Sequence, residues 1–135
     1  MTKYFGAYAA TLVVMVALDM FWLGIVAKSF YQQGIGHLMA ERPNVPVAVL
    51  FYAVYAAGVV VFAVAPSEST AGWTRVLVMG ALFGFFAYAT YDLTNLATLR
   101  NWPVALSLVD IAWGAAVSAV SAVAGKAALD RLAGG

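Results

Sequence analysis

Three of the chain's six acidic residues, Asp19, Asp92 and Asp110, stand inside long apolar runs, while Glu41, Glu68 and Asp130 lie outside them. A carboxyl at the centre of a membrane span costs at least about 2.5–3.5 kcal/mol, so its presence there is a functional-site hypothesis by default. Two of the three share a local pattern. Leu18-Asp19-Met20-Phe21-Trp22 and Val109-Asp110-Ile111-Ala112-Trp113 both read apolar-Asp-x-x-Trp, and a spacing of three puts the indole on the carboxyl's face of a helix. Trp22 and Trp113 are therefore expected to donate to Asp19 and Asp110 respectively. Around Asp92, Tyr88 and Asn95 each lie one turn away and Tyr91 is adjacent, and Ser107 lies one turn before Asp110.

Carboxyls gathered in a medium of low dielectric cannot all ionise, so one or two are expected to hold a proton unless a cation binds. Such a centre can relay protons, attract a cationic or hydroxyl-bearing ligand, act as a general acid/base pair or hold a hard divalent metal through oxygen. It can also simply tie helices together, since interhelical hydrogen bonds contribute about 0.6 kcal/mol each in membranes. No metal ligand set is assigned and the cofactor is unknown from sequence. The one histidine, His37, lies in a connection, and the serines Ser107, Ser118 and Ser121 have no histidine nearby in sequence to activate them.

The elements that position these acids follow from composition. Of 135 residues 64% are apolar or aromatic and 10% charged, against about 25% charged in a soluble domain. Most of the surface must therefore face lipid. A bilayer core of about 30 Å takes about 20 helical residues, and four stretches suffice: 5–27, 47–64, 76–99 and 104–124. The fold class is all-α, a single integral membrane bundle of four transmembrane helices. The net charge of +1 offers no basic field for a nucleic acid, and the absence of cysteine excludes disulfides and thiolate sites. The first run is too long for a signal-peptide core and should remain as a helix.

Antiparallel packing brings the acids to one depth. Asp19 and Asp92 lie near the ends of helices one and three and Asp110 near the start of helix four, so all three sit roughly 9–12 Å inside the same face. Pro66, Ser67, Ser69 and Thr70 mark the second connection, and Arg100-Asn101-Trp102-Pro103 a tight turn. The first connection, 28–46, carries Phe30, Tyr31, Ile35, Leu38 and Met39, compatible with a short interfacial helix over 28–42, although Gly34 and Gly36 weaken it. Trp73 and Trp102 read as interfacial anchors. None of the seven basic residues falls inside a span as bounded here. Lys3, Arg75, Lys126 and Arg131 share the face of the termini against Lys28, Arg42 and Arg100 opposite, which favours cytoplasmic termini. The aromatic run Phe83, Phe85, Phe86, Tyr88 and Tyr91 could shape a cleft for an acyl chain or serve packing and lipid contact.

These segments resemble a known family. The stretch 17–24, Phe51-Tyr52, Gly80-Ala81-Leu82-Phe83-Gly84, the block Tyr91-Asp92-Leu93-Thr94-Asn95-Leu96-Ala97-Thr98, Trp102-Pro103 and Asp110-Ile111-Ala112-Trp113-Gly114 are similar to the predicted membrane proteins grouped as domain of unknown function 2177. The resemblance implies a small four-helix protein of the bacterial inner membrane, associated with lipid-modifying genes, with no catalytic assignment to carry over. Three functions then compete. The acids serve a cleft that binds or modifies a lipid-like amphiphile, with Tyr88, Tyr91, Asn95, Trp22 and Trp113 as ligand-binding residues. Alternatively they carry the proton of a transporter, which with so few helices requires a homodimer, or they are structural in a partner subunit. Membrane lipids are the expected partners in each case.

Overall fold

The computed structural model describes residues 1–68 and 72–134. Ser69 and Thr70, read as part of the second connection, lie outside the described residues. Four helical spans are long and apolar enough to cross a membrane: Thr2–Val26, Val45–Ser67, Gly72–Thr98 and Val104–Gly134. The first comprises α1 (Thr2–Phe21) and a π-helical turn, Trp22–Val26. Ala27, at φ −111° and ψ 10°, breaks the helix, and the chain re-enters as α2 (Lys28–Ile35), followed by a 3₁₀ turn over Gly36–Leu38. The second span starts at α3 (Val45–Val59), where the Asn44 side chain accepts from the Val47 amide at 3.3 Å and Pro46 sits in the first turn. It ends in a second π-helical turn, Val60–Val64, and a 3₁₀ turn, Ala65–Ser67. Next come α4 (Gly72–Thr98) and α5 (Val104–Gly134), joined by a turn in which Asn101 takes the left-handed conformation at φ 60°.

Helix α5 is the axis of the bundle, packed along both α4 and α1. Small residues allow this. A Cβ on Gly84 would overlap the Gly114 carbonyl, one on Gly80 would press on Ala119 and Ala122, and one on Gly125 would overlap the Thr11 hydroxyl. Such close backbone approach is how helices associate where lipid is as apolar as their side chains. The second span meets α4 mainly through its Val60–Val64 turn, with Phe83 of α4 stacked on Phe62 and edge-on to Tyr55. The outer faces carry exposed Val47, Leu50, Val54 and Val61 of the second span and Leu77, Leu82, Phe85 and Phe86 of α4, the surface that lipid covers.

Four sequence expectations are corrected. Helix four continues to Gly134, beyond the expected end at 124, and Lys126 is inside it and buried. Its ammonium donates to the Ser67 carbonyl at 2.7 Å and to Asp130 at 2.6 Å, and it stands 5.0 Å from the centre of the Trp73 ring. A basic side chain within the bundle is thus possible because a helix-end carbonyl and a carboxylate one turn on accept its protons. Trp102 is not a lipid-facing anchor: it is 7% exposed and its indole donates to Ser107 at 3.0 Å. Ser107, engaged there and bonded to the Pro103 carbonyl, does not serve Asp110. The first connection contains a helix over its first eight residues. Gly34 aids that helix rather than weakening it, because a Cβ there would press on Leu106 and Pro103 where α2 lies against the start of α5.

Candidate functional site

The three aspartates all turn inward, at 3% exposure for Asp19, 0% for Asp92 and 8% for Asp110. Their surroundings differ. Each oxygen of Asp19 accepts one bond, from the Trp113 indole at 2.7 Å and from the Tyr52 hydroxyl at 2.8 Å, so α1 is tied to α5 and α3 through one carboxyl. Asp110 accepts from the Tyr31 hydroxyl at 2.7 Å, and that hydroxyl in turn accepts from the Trp22 indole at 3.2 Å. Burial holds the Tyr31 phenol above its ordinary pKa, so it remains a neutral donor to Asp110.

The two tryptophans of the repeated motif thus exchange partners relative to the same-helix expectation. Trp113 reaches Asp19 on α1, and Trp22 reaches Asp110 through Tyr31. Their rings stack on each other, 4.5 Å between centroids and 6° from parallel. The stack joins α5 to the π-helical turn after α1, with the Trp113 N–H turned to α1 and the Trp22 N–H to α2.

Asp92 differs from both. Neither of its oxygens has a hydrogen-bond donor, and its neighbour is the Asp110 carboxyl. Two carboxyls form a hydrogen bond to each other only when a proton lies between them, since an ionised carboxylate is an acceptor alone. Asn95, one turn along α4, stands beside the Tyr91 hydroxyl instead of serving Asp92. Among the described residues no three metal-ligating side chains gather into a set that would hold an ion.

Above this network lies a cavity of about 720 Å³. Asp19 and Asp110 both line it, with Tyr31, Tyr55, Leu106 and Trp102 as its other buried walls. Leu23, Met39, Phe51 and Tyr91 also line it and are exposed, with Lys28 and Gln32 of α2 beside them, so they form its rim. Tyr88 and Trp113 line the wall, whereas Trp22, Asn95 and Asp92 lie behind it. Tyr88 occupies the space over Gly114, where a Cβ would strike its ring, and Tyr55 is fixed by a 2.7 Å bond to Ser118. The cavity exists because α3 and α4 pack closely only from Tyr55 and Phe83 onward, toward Val60–Val64. One turn earlier, in the middle of α3, Phe51 and Tyr52 line the cavity, and the Tyr52 hydroxyl donates to Asp19. His37 is exposed and takes no part.

Sequence reasoning missed Tyr31 and Tyr52, the two hydroxyls that serve the acids, and Lys28 at the rim. Tyr31 and Ile35 are four apart and both turn inward on α2, a helical pair that was legible in the first connection. Nothing local to Tyr52 marks its partner, 33 residues away.

No curated protein and no solved structure matches the chain. A family model described as a predicted membrane protein, DUF2177, matches residues 4–127. With a family match over nearly the whole of the four spans that build this cavity, the chain belongs to the DUF2177 family of predicted membrane proteins.

Proposed function

We propose that this membrane protein binds, and by its acids is able to modify, a lipid-like amphiphile drawn from the bilayer into the cavity. The observation that carries the reading is the cavity's composition: walls of apolar and aromatic side chains, two buried carboxyls, and a rim of exposed Leu23, Met39, Phe51 and Tyr91. Ligand sites are concave and mostly apolar with a few fixed polar groups, and the exposed rim of this one is drawn from the turn after α1, from α2, α3 and α4. An acyl chain then meets Phe51, Leu23 and Met39 while the head meets Asp19 and Asp110, which serve as acid/base or polar-head ligands. Four basic residues toward the termini against three opposite support an inner-membrane orientation with both termini cytoplasmic.

Native mass spectrometry of protein purified from its own membranes tests the reading. Wild type should carry an amphiphile of defined mass, and Ala87→Trp, which fills the cavity from its α4 wall, should lose it while keeping its thermal stability. Empty wild type, or an occupied Ala87→Trp, breaks the reading. A lipidomic comparison of cells with and without the protein then asks whether the bound molecule is also changed.

A second reading, a proton-coupled carrier acting as a homodimer, draws on Asp92, whose donor-free oxygens beside Asp110 suit a site that takes up and releases a proton. It requires uptake into proteoliposomes driven by a pH gradient, and a chain that remains monomeric in lipid rules it out.

A further inference from the structure

We infer that the head group taken by this cavity is an alkylated ammonium, so that the ligand is a cationic amphiphile rather than a fatty carboxylate or an anionic lipid. The inference rests on the cavity being an amphiphile site and specifies what it selects.

The charges on the walls are unequal in depth. Two carboxyls, Asp19 and Asp110, are buried, and the one cation among the lining residues, Lys28, is exposed on α2 at the rim. The bonds that Asp19 and Asp110 receive come from neutral indole and phenol groups, which satisfy geometry without balancing charge. A cation placed between them offsets the cost of keeping a carboxylate out of water, and an anion adds repulsion to it.

The hydrogen-bonding state narrows the cation. Both oxygens of Asp19 already hold a donor, so a head that brings charge without N–H groups suits the site better than one that must find new acceptors. Much of the remaining wall is aromatic: Tyr52, Tyr55, Tyr88, Tyr91, Trp102 and Trp113, beside the aliphatic Ile35, Ala87 and Leu106. Tyr55 is already packed by Phe51, Phe83 and Tyr88, and Trp113 gives one face to Trp22, whereas Tyr91 and Trp102 meet edge to face at 81°, a contact that covers only one of their ring faces. Ring faces beside a carboxylate are the means by which quaternary ammonium groups are recognised.

The test uses three probes with one chain length, tetradecyltrimethylammonium, tetradecanol and tetradecanoate, titrated into the protein in maltoside micelles. Intrinsic fluorescence reads binding, because Trp102 and Trp113 stand on the wall. The ammonium should bind at least about tenfold tighter than tetradecanoate. Asp19→Asn should remove that preference. Tyr91→Leu, a change at a half-exposed rim position, should weaken the ammonium severalfold more than it weakens tetradecanol, and it supplies the answer if Asp19→Asn fails to fold. Tetradecanoate binding as tightly as the ammonium, or a preference that survives both substitutions, overturns the ammonium assignment while leaving the amphiphile site standing. Failure of all three probes to bind wild type overturns the site itself.

Discussion

The two ends of this bundle solve opposite problems. Toward the termini, glycine and alanine let α5 lie directly on α4 and α1, and two charged pairs hold there, Lys126 with Asp130 beside the Ser67 carbonyl and Lys3 with Glu68 at 2.9 Å. Toward the 28–46 connection, the same α5 faces rings instead of small residues, and the rings hold the helices apart around about 720 Å³ of space. Close packing at one end fixes the axes, and the open end inherits its geometry from that fixed end. A membrane protein of four helices can therefore keep a cavity without a larger scaffold, provided half its length is packed at backbone distance.

Substitutions at the two ends should separate these roles, and the largest effect belongs to the closed end. Gly84→Val places a side chain against the Gly114 carbonyl backbone, which cannot yield locally, and should cost about 3 kcal/mol or abolish the folded bundle. Thermal unfolding in detergent measures it, and a stable Gly84→Val protein would mean that the α4–α5 contact does not set the axes. Next in size, Lys126→Met leaves the Ser67 carbonyl and Asp130 without their shared donor and should lose about 2 kcal/mol. Ligand binding at the open end, measured per folded molecule, should be unchanged.

At the open end the effects are smaller and local. Tyr31→Phe removes the hydroxyl that joins Trp22 to Asp110 and should cost about 1 kcal/mol, visible as faster amide exchange in α2 with α4 and α5 unaffected. The same phenol gives a pH signature. Its pKa is raised by burial above the ordinary 10.0, so its contribution is complete below pH 10.0 and declines as pH rises from there through the folded value. Docking of α2 should accordingly be constant from neutral to mildly alkaline pH and weaken above 10.0, and the tyrosine's share of that alkaline loss should vanish in Tyr31→Phe. Smallest in stability is Asp92→Asn, which keeps the size of the side chain and offers Asp110 an N–H, and should change stability by less than about 1 kcal/mol. If the proton is used, activity is lost in a folded protein. If the variant restores the cellular phenotype of a deletion, Asp92 is structural and the partner-subunit reading gains.

The fold was legible to the extent that it depends on length and apolarity. Four spans and the common depth of Asp19, Asp92 and Asp110 follow from counting residues along helices, and the structure buries all three. What counting cannot supply is the rotation of one helix against its neighbour. That rotation sends Trp113 to Asp19 rather than to Asp110, and it brings Tyr52 from the second span. Lys126 misled for a different reason: a lysine after an apolar run reads as its end, yet Asp130 one turn on was the sign that the charge had a partner within the helix. Trp102 likewise reads as an interfacial ring until its neighbour Ser107 gives its N–H an acceptor indoors.

The π-helical turn at Trp22–Val26 places an additional residue between Asp19 and Tyr31. Helical position advances by about 100° per residue, so the turn acts as a rotary offset, setting the azimuth at which α2 emerges beneath α5. Were the turn to tighten to an ordinary helix with its residue count unchanged, every following side chain would swing round the axis by about 100°. Tyr31 would then point toward the acyl chains, and Asp110 would lose its donor with no change to either residue. The chemistry of this site is in that sense indexed by chain count as well as by side-chain identity.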